Sequence, residues 1–188
     1  MRYFIFIIPI AWLAACTKSP SIVLPPSSDE YEVCTAVIDS VCHKRNFIVI
    51  DDSTESLNSL IFDHSSPDLG HGTSPIYDLV RKDSARWALH AASFGINRSL
   101  LMLNSKKLEF SEARGNIKWT EFRKEWDGHY LVFSRVGFGS SHDQAVLHLL
   151  DIGVPMGGSE GSSTGWWITL EKSGGHWVIR KMSTSFPV

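Results

Sequence analysis

Cysteine is scarce in this 188-residue chain, occurring only at Cys16, Cys34 and Cys42, too few for a fold held together by disulfides. Long apolar runs are also missing, since a helix crossing a bilayer needs roughly 20 such residues and no stretch reaches that length. No basic cluster is present. The chain's 18 Lys and Arg face 20 Asp and Glu, a formal charge of −2, which argues against nucleic acid as its main partner. A P-loop, a dinucleotide fingerprint, an H-E-x-x-H pair and internal repeats are all absent, so none of the chemistry those motifs carry is signalled. What the sequence does hold is 43% hydrophobic residues and seven tryptophans, enough for a packed domain and too many for a disordered chain.

The N-terminus has a distinct order. Arg2 precedes an apolar run from Tyr3 to Ala15, broken only by Pro9, and small residues lead into Cys16. A positive end, an apolar middle and a small-residue cleavage region together make a secretory signal. Leu13, Ala14, Ala15 and Cys16 resemble the lipobox of bacterial lipoproteins. The resemblance implies cleavage before Cys16, a diacylglyceryl group on its thiol and an acylated amino group. Each buried methylene contributes ~0.8 kcal/mol; one acyl chain binds marginally, and two or more hold stably. Cys16 is then an anchor and not a catalyst. In such lipoproteins an Asp after the cysteine often marks inner-membrane retention. Here that position is Thr17, so the resemblance implies the outer membrane, facing the periplasm. Loss of Arg2 with the signal takes 18 basic residues to 17 against 20 acidic, a charge of −3.

The expected organisation is therefore a signal peptide at 1–15, a lipidated N-terminus and tether at 16–28, and one α+β domain at 29–188. The tether, TKSPSIVLPPSS, contains three prolines and no amphipathic period. Its twelve residues span up to ~37 Å when semi-extended. Ser27 and Glu30 read as a capping box opening a helix from about Asp29 to Lys44. Tyr31, Cys34, Ile38, Val41 and Cys42 form its apolar stripe. Eight residues along a straight helix separate Cys34 and Cys42 by ~12 Å, beyond the ~7 Å a disulfide tolerates, so both read as buried core thiols. FIVI at 47–50 and LLML at 100–103 read as strands. Residues 51–74 read as a polar loop with one helical turn near Leu57 to Phe62, and Ile76 to Phe94 as one helix or two short ones. IKWTEFRKEW places Ile117, Phe122 and Trp126 together on a helix surface. HYLVFSRVGF, QAVLHLLDIG, GWWITLEK and HWVIRKM read as strands joined by GSSHD, a Gly-rich loop and the tight turn KSGG. Short connections predict an antiparallel meander of about four to five strands, with the N-terminal helix and further short helices covering one face.

Between Trp119 and Met182, the segments WTEFRKEW, FSRVGF, AVLHLL and GWWITLEKSGGHWVIRK resemble the tail of a group of bacterial proteins. In that group a Trp-containing helix precedes an SRVGF-type strand and a final GxYYxLEKxxGxW-like hairpin. The resemblance implies a turn glycine at Gly174 or Gly175 and a core Trp177, and brings no activity with it. The cysteines that many such proteins carry before the last hairpin are missing from VPMGGSEGSST. A looser similarity, by fold analogy, is to NTF2-like and cystatin-like domains with helices in a curved sheet.

Candidate chemistry is sparse. GGSEG at 157–161 matches a nucleophile elbow by letter, but the loop runs on through SSTG into the strand WWITL, so the strand-then-helix context of that strained turn is missing. His64, Asp68 and His71 are metal-ligand types without the spacing of a closed site. Asp51, Asp52 and Glu55 follow a strand, where acids bind a cation or cap the next element. His129 and His142 fall beside acids in turns. Strand alternation points instead to a mixed face on which Arg135, His148, Thr169 and Arg180 accompany Trp167, suited to a small ligand or an envelope protein partner. These features favour a lipid-anchored envelope protein with a non-enzymatic binding role, without cofactor or metal. The alternative is a hydrolase or metal-dependent enzyme using the polar loop 51–74.

Overall fold

A computed structural model describes residues 24–45, 47–55, 74–83, 86–96, 99–103, 129–153 and 163–185. The signal segment, Cys16, the tether up to residue 23, the helical turn expected near 57–62, His64, Asp68, His71, the GGSEG loop and IKWTEFRKEW lie outside these residues.

Helix α1 (Ser28–Val41) begins with the expected capping box, in which Ser27 and Glu30 each accept the other's backbone N–H at 3.4 Å. It ends three residues earlier than predicted, with Cys42 as the cap donating its N–H to the Ile38 carbonyl. Tyr31, Val33, Cys34, Val37 and Ile38 are buried along its inner side. Neither Cys34 nor Cys42 is in a disulfide, and both are buried. Burial, and then the nearby Glu30 charge, push the Cys34 thiol well up, so it stays protonated and packs as a small apolar group.

The strands are β1 (Phe47–Asp51), β2 (Ser99–Leu103), β3 (His129–Phe133), β4 (Gly137–Phe138), β5 (Gln144–Gly153), β6 (Ser163–Ser173) and β7 (His176–Ser185). They form one sheet in the order β2-β1-β3-β5-β6-β7, with β4 paired to β5. The α+β class and the C-terminal meander β5-β6-β7 stand as expected. The rest of the sheet is larger and mixed: β1 pairs parallel with both β2 and β3, so FIVI and LLML extend the sheet. HYLVFSRVGF is two strands. Between the pairs Phe133↔Leu149 and Gly137↔Val146 the chain uses one residue more than its partner, and the bulge leaves Ser134 to Val136 outside the ladder. The KSGG turn closes β6 onto β7 with Gly174 and Gly175 at φ of +60° and +85°, the two left-handed positions of a tight hairpin.

Helices cover both faces of this sheet, a correction to the single covered face expected from the short connections. α1 packs on Leu147, Leu149, Ile168 and Leu170, together with Ile48, Ile50, Leu131 and Phe133. α2 (Pro75–Lys82) sets Ile76 and Leu79 against Val146 and Trp167, whose side chains alternate to the opposite face. The Ile76 to Phe94 segment thus holds α2 and a short 3₁₀ turn, Ala91–Ser93. Among the described residues no helix is long and apolar enough to cross a membrane.

Candidate functional site

The ligand face expected around Trp167 is occupied by protein. β5 and β6 bring His148 directly opposite Trp167, and Val146 opposite Thr169, so these side chains share a face. That face is the one α2 covers: Trp167 is buried and Thr169 half-buried. Arg180 falls at a bulge, because Thr169 pairs with Lys181 and Leu170 with Ile179, and its exposed guanidinium bonds to Glu171 at 2.8 Å. Arg135 is not on a strand. It lies in the Ser134 to Val136 bulge, 2% exposed, and its Nε and one terminal nitrogen donate to both Glu30 oxygens at 2.8 Å. Its other terminal nitrogen donates to the Leu24 carbonyl at 2.9 Å. An arginine so fully engaged holds the N-terminal segment against the sheet and has no donor fork left for a ligand. Alternation showed which residues share a face, and said nothing about which helix covers it.

His148 is wholly buried and bridges two distant segments. Its Nδ1 lies 2.6 Å from Glu55 Oε1, and its Nε2 lies 2.9 Å from Ser185 Oγ. By residue type this is the serine, base and acid set of nucleophilic catalysis. The sequence signal for it was partial: Glu55 and His148 were singled out for other roles, while Ser185, 37 positions after His148, carried no motif. Access decides what the set can do. Ser185 is 3% exposed and pairs in register with Gly165, where an added Cβ would overlap the Ser185 hydroxyl and come within 2.9 Å of His148 Nε2. The hydroxyl thus rests against the Gly165 backbone in a buried position, whereas a nucleophile must let a carbonyl carbon approach to about 3 Å. The three groups satisfy one another and join the segment after β1, the middle of β5 and the end of β7.

The chain matches no family model, no curated protein and no solved structure.

The acids after β1 do not form a cation site. Asp51 is 2% exposed and accepts from the Ser53 N–H at 3.0 Å and the Ser53 hydroxyl at 2.9 Å, closing the turn out of the strand. Burial, and then the Asp51 charge, raise the Tyr130 phenol. Among the described residues no group of three His, Cys, Asp or Glu side chains converges as a metal site would require. His142 stacks on Phe138 with centroids 5.2 Å apart, at the edge of an open groove of about 440 Å³ beside α2. Its cations are engaged: Arg81 and Lys82 both bond to Asp78. Although burial opposes ionisation there, the hydrogen bonds from Lys82, the Phe138 N–H and Arg81 hold the Asp78 carboxyl below its ordinary value.

Proposed function

We propose that this chain is a lipid-anchored envelope protein, held at the outer membrane through Cys16, whose folded domain works by binding a protein or small ligand. The observation that carries the anchor is LAAC placed directly after a positively charged and apolar leader. The bond from Arg135 to the Leu24 carbonyl supports a short leash. With Leu24 fixed to the domain, only seven residues separate it from Cys16, about 22 Å when semi-extended and not the 37 Å of a free twelve-residue tether. The domain then works next to the lipid surface.

A non-catalytic role is supported by the burial of Ser185, whose hydroxyl bonds to His148 and lies against Gly165. The hydrolase reading has one observation in its favour, the convergence of Glu55, His148 and Ser185. Both parts are tested in one preparation. Cys16→Ser is expected to move the protein from the membrane pellet to the soluble fraction, and a fluorophosphonate probe is expected to leave Ser185 unlabelled. Continued sedimentation of Cys16→Ser with membranes would sink the anchor. Covalent labelling of Ser185 would replace the binding role with an acyl-transfer one.

A further inference from the structure

Among the described residues, five large apolar side chains are exposed: Leu24, Tyr77, Val80, Val178 and Met182. Val178 and Met182 make no common patch, because they pair with Glu171 and Ile168, whose side chains alternate to opposite faces of the sheet. Tyr77 and Val80 do share a face. With Arg81 they stand at i, i+3 and i+4 of α2, and all three are exposed. The other side of the helix is used up inside the domain: Ile76 and Leu79 are buried, Asp78 accepts the Phe138 N–H, and Lys82 donates to the Val136 carbonyl. A solvated helix face is normally polar throughout. This one combines an amphipathic ring, an aliphatic side chain and a cation on a long apolar stem, the composition of a helix lying at a lipid boundary.

The second observation is where the chain enters the domain. Leu24, 68% exposed, has its carbonyl held by Arg135, and the Glu30 carboxylate that pairs with Arg135 lies 3.8 Å from Lys82 in the last turn of α2. The segment leading back to Cys16 therefore joins the domain beside the C-terminal end of α2. That helix has eight residues and is ~12 Å long, while the segment between Leu24 and Cys16 reaches about 22 Å. The whole outer face of α2 is thus within reach of the surface to which Cys16 would be fixed.

We infer that the outer face of α2 docks onto the phospholipid surface itself. The inference rests on the lipid anchor proposed above and adds to it the face that the domain turns to the membrane. Tyr77 and Val80, with Leu24 beside them, enter the boundary between headgroups and acyl chains, and the Tyr77 hydroxyl stays at the headgroup level. Arg81 gives one terminal nitrogen to Asp78 at 2.8 Å, and its side chain is 69% exposed, so the rest of the guanidinium meets a lipid phosphate. So small a face binds lipid weakly when it must find it from solution. A short tether makes the encounter intramolecular and raises the effective concentration of lipid at the face, so weak contacts suffice to orient the domain.

The test uses the chain as purified from membranes, carrying Val80→Cys labelled with nitrobenzoxadiazole and reconstituted into phosphatidylethanolamine and phosphatidylglycerol vesicles with or without a doxyl-labelled quencher lipid. A second preparation carries the dye at Lys44→Cys, exposed just past the far end of α1 and ~20 Å from its first turn. Quencher lipid is expected to lower emission about twofold at position 80 and to leave it unchanged at position 44. Tyr77→Ser combined with Arg81→Gln, both at exposed positions, should restore about half or more of the emission lost at position 80. Vesicles that float with the protein while position 80 stays unquenched overturn the docking face and leave the anchor standing. Quenching at position 80 that the double variant does not relieve reports the dye alone and overturns it too. Emission at position 80 that ignores the quencher but shifts as protein density in the vesicles rises would give the face to a second copy of the chain instead. A protein that does not float with the vesicles at all overturns the anchor and the docking face together.

Discussion

Arg135→Ala is expected to lower the unfolding free energy by about 3–5 kcal/mol, the loss typical of removing one partner from a buried ion pair. The arginine and Glu30 are 2% and 4% exposed, and their two parallel bonds of 2.8 Å join the first turn of α1 to the bulge between β3 and β4. Glu30 is spent four ways: it closes the capping box with Ser27, takes both arginine nitrogens and accepts the Val136 N–H at 3.1 Å. Removing the guanidinium leaves that carboxylate desolvated, with Lys82 at 3.8 Å as the cation remaining beside it among the described residues. For a domain of this size the loss lowers the melting temperature by roughly 6–20 °C. Arg135→Lys should recover only part of it, because an ammonium cannot reproduce the fork. Glu30→Gln with Arg135→Met should cost less than Arg135→Ala alone, since no unpaired charge is left. Urea unfolding followed by tryptophan fluorescence measures all three, and a loss under about 1 kcal/mol for Arg135→Ala would mean the pair is not buried as described.

Trp167→Ala is expected to cost about 3–5 kcal/mol as well, by a different route. The side chain is 1% exposed, fills the small core beneath α2 with Ile76, Leu79 and Val146, and meets the His148 ring edge-on at 5.0 Å. Truncation opens a cavity between α2 and the sheet and bares the imidazole that Glu55 and Ser185 hold. Trp167→Phe is the informative partner. Among the described residues the indole N–H has no hydrogen-bond acceptor, so the phenyl ring loses volume without losing a bond, and the cost should stay clearly below that of the alanine variant. A phenylalanine variant as unstable as the alanine one would show that the N–H is bonded after all.

Local rules made part of this fold legible in advance. The Ser27–Glu30 box, the apolar stripe of α1, the β5 to β7 strands and the KSGG turn each depend on residues a few positions apart, where spacing and φ preference decide the outcome. What was hidden depends on long-range partners. Glu30 and Arg135 meet across 105 positions, and Glu55 and His148 across 93. An arginine in the SRVGF run looks the same whether it faces solvent or a buried carboxylate. The same holds for His148, which alternation placed correctly beside Trp167 and Thr169 but not beneath α2. The break in HYLVFSRVGF was invisible because every residue in it suits a strand; only the register against β5 shows that one residue is extra. The parallel pairing of β1 with β2 also escaped, since apolar strands of five residues carry no mark of their direction.

We propose that Cys16 ties this domain to a membrane, and the mass of the mature chain tests that anchor. Purified from membranes in detergent, the protein should begin at Cys16, lack residues 1–15 and carry the added mass of a diacylglyceryl group, with an N-acyl chain where its amino group is also modified. A mature chain that retains Met1, or that starts elsewhere with Cys16 as a free thiol, would contradict it.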